Sequence, residues 1–234
     1  MKKFNKALKK AGDFYSRGEW EKAREILIQI PAQNLNKKQL SKLKRLLGWI
    51  SYYLGKKKVE NPEYAGNYAL DCFQKVIDLR VLGGDVDSAR AGIPLVLLYL
   101  LGISDEAIEA AKRAVDEASD LTARAAALNT LGCVLRDTGK IVEALETFRE
   151  GMKLAQKIDA YRVLGHILAN EAGALTRLIP YMKLQATREA LKNEVMVILR
   201  QALDLYQQAE EETGQSTEFH RKEVVKKLGE IEKL

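Results

Sequence analysis

The sequence predicts an all-α chain built from repeated helical hairpins, and three observations carry that expectation. The chain is 47% apolar and 30% charged, with only 4 Pro and 7% aromatic residues. Such a composition favours helix, and no stretch alternates apolar and polar residues as a strand would. Apolar positions recur instead at spacings of three and four, along one side of a 3.6-residue helix. Gly18, Gly55, Gly102 and Gly139, spaced by 37, 47 and 37 residues, each separate two such amphipathic stretches. A recurring pair of amphipathic helices is the mark of a repeat whose units bury their apolar faces on one another.

The stretch 128–154 states the unit most clearly. Its first helix carries Leu128, Leu131, Gly132 and Leu135, Gly139 ends it, and the second carries Ile141, Ala144, Leu145, Phe148 and Met152. The small Ala144 stands where two helix backbones approach most closely. Residues 4–31 repeat the pattern, with Ala7, Ala11 and Phe14 before Gly18, then Trp20, Ala23, Leu27 and Ile30 before Pro31. Trp20 takes the place of Ile141 and is expected to fill the joint between helices. The second hairpin, 36–82, has Leu47-Gly48 and Gly55; the insert KKKVENPEY delays its second helix, where Ala69 and Phe73 take the slots of Ala144 and Phe148. After a turn at Leu82-Gly83-Gly84, Asp85 or Asp87 is the expected N-cap of the third hairpin, 85–118. Its nearly all-apolar first helix predicts an enclosed position, with Pro94 starting it late or kinking it. The central hairpin spans 120–157. The fifth, 159–212, keeps Leu164-Gly165, lacks a linking glycine, and has a long second helix from about 183 to Gly214. Val224, Leu228 and Ile231 then make residues 216–233 an amphipathic cap, as the end of an array needs.

A Leu-Gly pair, a linking Gly, an apolar residue two later, Ala three after that and Phe four further on resemble the tetratricopeptide pattern over about residues 4–178. The resemblance implies a single domain, 1–234, forming a right-handed superhelical solenoid of five antiparallel hairpins and a capping helix. It also implies that the first helices line a concave groove that binds a peptide or helix of a partner.

Rotating away from Leu128 and Leu131 gives the groove face: Ala126, Asn129, Cys133, Arg136 and Asp137 in the central unit. In the same register the second unit offers Lys42, Arg45, Trp49, Tyr52 and Tyr53, the third Ala89, Gly92, Val96, Tyr99 and Leu100. The fifth offers Asp159, Arg162, His166, Ala169 and Asn170, and the first Asn5, Leu8, Lys9, Gly12 and Tyr15. The candidate partner-binding set is Lys42, Arg45, Trp49, Tyr52, Tyr53, Val96, Tyr99, Asn129, Arg136, Arg162 and His166. Aromatics beside cations are typical of binding hot spots, although aromatics at helical spacing also build cores. Some relatives grip a C-terminal carboxylate with Lys, Asn and Arg; the matching positions here hold Arg45, Trp49, Ile93, Ala126 and Thr130. An apolar-aromatic groove flanked by Arg45, Arg136 and Arg162 therefore predicts a protein or peptide partner with apolar anchors and acidic flanks.

Other classes find less in the sequence. His166 and His220 are the only histidines, no Gly-rich loop or Ser/His/Asp set stands out, and Asp85-x-Asp87 lacks the rest of a calcium loop. A non-enzymatic adaptor or scaffold without metal or cofactor is the expectation. Cys72 and Cys133 read as two thiols in a reducing compartment. The start MKKFNKALKK has no signal-peptide core, and the apolar run 93–103 is too short to span a membrane, so a soluble cytoplasmic protein is expected. Residues 1–60 hold 16 Lys+Arg against 5 Asp+Glu, a net +11, whereas the rest is net −5. That basic end, with Trp49, Tyr52, Tyr53 and Lys56–Lys58, supports nucleic-acid binding as the alternative. Self-association through the long helix 183–212 or these aromatics is a third reading.

Overall fold

A computed structural model describes residues 2–81 and 83–234. Among the described residues it contains eleven α-helices, two 3-10 turns and no strand. The helices are α1 (Lys2–Ser16), α2 (Trp20–Ile28), α3 (Lys37–Lys56), α4 (Pro62–Asp78), α5 (Gly84–Tyr99), α6 (Ser104–Asp116), α7 (Leu121–Asp137), α8 (Ile141–Lys157), α9 (Tyr161–Thr176), α10 (Gln185–Thr213) and α11 (Glu218–Ile231). They pair as the five expected hairpins plus a last helix. Contacts gather them into two compact units, Met1–Ala123 and Arg124–Leu234.

In the first unit α1 packs on α2, α3 on α4 and α5 on α6, while α2 docks on α3 and α4 on α5. Phe73 of α4 is the keystone of the middle joint. It is fully buried, and a Cβ added at Gly48 of α3 or Gly92 of α5 would lie 2.6 or 2.5 Å from its ring. Two glycines on different helices thus form the slot that the ring fills. The second unit repeats the device: Phe148 of α8 is fully buried, and a Cβ at Gly132 of α7 would come within 2.4 Å of it. In the fifth hairpin Tyr206 of α10 takes this role, 3.1 Å from the Cβ position of Gly165. Beyond it, α10 ends at Gly214, whose φ of 62° suits a residue without a Cβ and lets its N–H reach the Glu210 carbonyl. Val224 and Ile231 of α11 are buried and Leu228 packs beside them, closing the apolar face of α9 and α10.

Local chemistry moves several expected boundaries. Gly18, Gly102 and Gly139 do turn their hairpins, with φ of 78°, 73° and 88°. Gly55 does not. It lies inside α3, where its missing Cβ admits Ala65, and Lys58 takes the left-handed turn at φ 57°. The second helix of that hairpin does not wait for the end of the KKKVENPEY insert either, but begins inside it at Pro62. Asn61 caps it by accepting from the Tyr64 N–H at 3.0 Å, and Pro62 stands at the first helical position, where its missing N–H is harmless. Pro94 sits inside α5, which begins ten residues before it, so it does not start the helix late. Asp85 and Asp87 are first-turn residues of α5 rather than its N-cap, which is Gly83. Their carboxylates favour the helix dipole and reach across helices: Asp85 accepts from Arg45 at 2.7 Å, and Asp87 takes Ser119 and Arg90. Leu82, the first residue of the expected Leu82-Gly83-Gly84 turn, lies outside the described residues. None of residues 85–99 is exposed, in keeping with the apolar sequence of α5.

Candidate functional site

In the first unit, the stripe expected to face a ligand is where consecutive first helices meet. Arg45 Nε donates to Asp85, and Trp49 Nε1 donates to Ser88 Oγ at 2.9 Å, both reaching from α3 to α5. Tyr53 stacks on Trp20 with ring centroids 4.9 Å apart and planes 6° from parallel, and meets the edge of Tyr15 of α1. Tyr52 is only 2% exposed and Val96 is fully buried. As partner-contacting residues these two are corrected: their rings and methyls complete the apolar cluster around Phe73, because parallel first helices lie too close to leave that side open. Trp49, Tyr53 and Tyr99 are half-buried against the same cluster. Lys56 covers it, with Nζ 4.3 Å from the Tyr99 ring and donating to the Tyr52 hydroxyl. Only Lys42 of this group stands exposed.

The consequence is a stability effect. Replacing both Trp49 and Tyr52 by Ala removes two aromatic side chains from one cluster, at about 3–5 kcal/mol for each that is fully buried. Thermal melts followed by circular dichroism should show a fall of ten degrees or more. An unchanged melting temperature would return these residues to the surface.

The second unit builds a different face. Asn170 Nδ2 of α9 donates to Asn129 Oδ1 of α7 at 3.0 Å. One half of each amide is spent on that link. With the amides oriented so, Asn129 Nδ2 and Asn170 Oδ1 take no partner among the described residues, and both side chains are half-buried. Two turns on, Arg136 donates Nε and Nη2 to Asp137 at 2.8 and 2.7 Å. Arg177, at the end of α9, donates to the Arg136 carbonyl at 2.8 Å and pairs with Asp137. From α11, Lys227 Nζ donates to the Ala169 carbonyl at 3.0 Å. Gly173 keeps this place open, since a Cβ there would lie 3.3 Å from Arg136 Nη1 and 4.0 Å from Lys227 Nζ. Two guanidinium groups, those of Arg136 and Arg177, thus share the Asp137 carboxylate.

Arg162 and His166, the remaining expected residues, go elsewhere. Arg162 donates to Gln215 in the loop before α11 at 3.0 Å. His166 is corrected from a groove residue to a joint between helices. Its Nδ1 lies 2.8 Å from the hydroxyl of buried Tyr206, and its ring meets His220 of α11 edge-on at 4.4 Å. Burial pushes His166 well below the ordinary histidine range, with His220 and Arg162 adding to the effect. Burial, then Arg162, pushes His220 down to about 4, against Glu223. Both rings are therefore neutral when folded at pH 7, while an unfolded histidine titrates at about 6.5. Between about 6.5 and 4 the unfolded chain binds more protons, so stability is full above this window and declines as pH falls through it. Melts at pH 7, 6 and 5 should show that decline, and replacing both histidines by Gln should flatten it. A wild-type melting temperature independent of pH over that range would contradict the buried pair.

Arg177, Lys227 and Gly173 escape sequence reasoning because they join the site through neighbouring helices. Asn170 was within reach, 41 residues after Asn129 and in the same register. A separate recess of about 220 Å³ lies between α4, α5 and α6, with Ile77 and Ile93 among its walls and Arg90 and Arg113 at its edge. Arg90 is held there by Glu117 at 2.8 Å. No helix among the described residues is long and apolar enough to cross a membrane.

The fold has solved counterparts. Bacillus thuringiensis PlcR, crystallised with the peptide PapR7 and DNA, superposes with a TM-score of 0.64 at 12% identity, over 89% of this chain and 73% of that one. Kinesin light chain TPR-like repeats from Podospora anserina superpose with a TM-score of 0.52 at 14% identity, over 89% and 97% of the two chains. No protein-family model matches the sequence, and no curated protein does. The similarity shows a tetratricopeptide-like helical-repeat fold.

Proposed function

We propose that this chain, with its tetratricopeptide-like fold, is a non-enzymatic interaction scaffold whose second unit binds an acidic peptide segment of a protein partner. The observation that carries this reading is the Asn129–Asn170 pair, which is tied together yet keeps one donor and one acceptor over. A peptide backbone offers the complementary acceptor and donor, and helices that are already packed hold the amides in place without further ordering. The two guanidinium groups of Arg136 and Arg177 on the Asp137 carboxylate favour an acidic side chain beside that backbone. PlcR, whose structure holds a bound peptide, lends the fold a precedent for the role. The apolar anchors expected of the partner lose their receptors, since Tyr52 and Val96 are buried. Cys72 and Cys133, buried and not joined in a disulfide, fit the proposed cytoplasmic setting.

Selection of displayed random peptides on the intact chain tests the proposal. Sequences rich in Asp and Glu should emerge and should bind wild-type chain better than an Asn129→Ala, Asn170→Ala variant. Enriched peptides that bind both equally would overturn it.

A further inference from the structure

We infer that α1 presents a docking surface for the phosphate backbone of duplex nucleic acid. At about 100° per residue, Lys3, Lys6, Lys10 and the following Arg17 fall within about 60° of one another on the side away from Phe4 and Ala11. All four are exposed, while Phe4 and Ala11 are buried in the unit. Beside them the half-buried Phe14 ring is surrounded by Lys10, Arg17 and Lys22 at 5.9, 5.0 and 5.7 Å.

The arrangement works against the helix that carries it. The first turn has no acidic residue to balance the positive end of the dipole, and Lys3, Lys6, Lys9 and Lys10 repel one another at spacings of three and four. None of these four lysines has an ion pair among the described residues, and Asp13 is the only acid on α1. The other end of the chain is built differently. In α11, Lys222 pairs with Glu218 at 2.6 Å and Lys226 with Glu230 at 3.8 Å, as a merely solvated surface should. Register sharpens the contrast. The positions of Lys6 and Lys10 correspond, 37 residues on, to Leu43 and Leu47 of α3, which are 2% and 5% exposed. A face that is apolar and covered in the second hairpin is cationic and open in the first.

Uncompensated like charge along one helix fits a polyanion. From Lys3 to Lys10 the unpaired face runs about 10 Å at about 1.5 Å per residue, the axial length of about three phosphates on one duplex strand; Arg17 continues the row but is paired with Glu19 at 2.8 Å. A membrane surface fits less well, because α1 uses its large apolar side chains within the unit and has no large hydrophobic residue exposed among those described. Stacking on single strands is disfavoured too, since the aromatics of α3 pack against one another and against Phe73.

Fluorescence anisotropy of a labelled 20-base-pair duplex, with the full chain titrated at 50 and 200 mM salt, tests the surface. Wild type should bind at 50 mM and weaken at least ten-fold at 200 mM. Lys3→Gln, Lys6→Gln and Lys10→Gln together should weaken binding at least ten-fold at 50 mM and flatten the salt slope by about 0.9 for each phosphate contact removed. Helicity and melting should not fall, because the change relieves repulsion. Lys222→Gln with Lys226→Gln should leave binding intact. No binding at 50 mM salt, equal loss in both variants, or tighter binding to phosphatidylserine vesicles than to the duplex would each overturn the assignment.

Discussion

Phe73→Ala should lower the melting temperature by about 10 °C or more, the largest effect of any single change in the first unit. The ring is fully buried and, from α4, packs against Gly48 of α3 and Gly92 of α5. Removing it forfeits its transfer free energy and leaves a cavity lined by two glycines, which have no side chains with which to collapse inward. Such truncations cost about 3–5 kcal/mol, and each kcal/mol shifts melting by about 2–4 °C in a chain of this size. Total stability of a folded chain is about 5–15 kcal/mol, so a large share of it is at stake. The converse substitution adds a methyl where there is no room. Gly92→Ala sets a Cβ 2.5 Å from the ring and should also destabilise. Combining Gly92→Ala with Phe73→Leu should recover part of the loss, because the smaller side chain vacates the place the methyl needs. Denaturant melts of the single and paired variants decide this, and strictly additive losses would contradict the slot-and-ring packing.

The second large effect is on binding. Asn129→Ala with Asn170→Ala should reduce affinity for selected peptides at least ten-fold while changing the melting temperature by no more than a few degrees. One neutral hydrogen bond contributes about 0.5–1.5 kcal/mol net, and neither half-buried side chain belongs to the apolar core, so little folding energy rests on the link. Two lost contacts also leave two peptide groups unpaired, at about 1–3 kcal/mol each, which together exceed the roughly 1.4 kcal/mol that makes a factor of about ten. A variant that melts far lower would mark the pair as structural. Isothermal titration beside a thermal melt separates the outcomes.

Much of the fold was legible because its signals are local. The Leu-Gly pairs announced the slots at Gly48 and Gly132, Phe73 and Phe148 the rings that fill them, and Gly214 the end of α10. Misplaced features were those in which one residue type serves two purposes. Gly55 looked like a turn and is a close-packing position; Asn61-Pro62 looked like loop and is a helix start. The site was less legible, and for a different reason. Helical periodicity says which side a residue faces but not whether a neighbouring helix already occupies that side. The aromatics of α3 and the ring of His166 satisfied every local criterion for a binding face, and neighbouring helices had claimed them. Asn129 and Arg136, plainer in the sequence, stand beside Asn170, Arg177 and Lys227, which come from separate helices and are joined only by packing.

The central claim is that the polar face of α7, α9 and α11, rather than the aromatic seam of α3, holds the partner. Isothermal titration of one selected acidic peptide into wild-type chain, the Asn129→Ala, Asn170→Ala variant and a Lys42→Ala variant compares the two places directly. A polar site in the second unit predicts at least a ten-fold loss for the asparagine variant and none for Lys42→Ala. Unchanged affinity in the asparagine variant, with loss on changing Lys42, would contradict it.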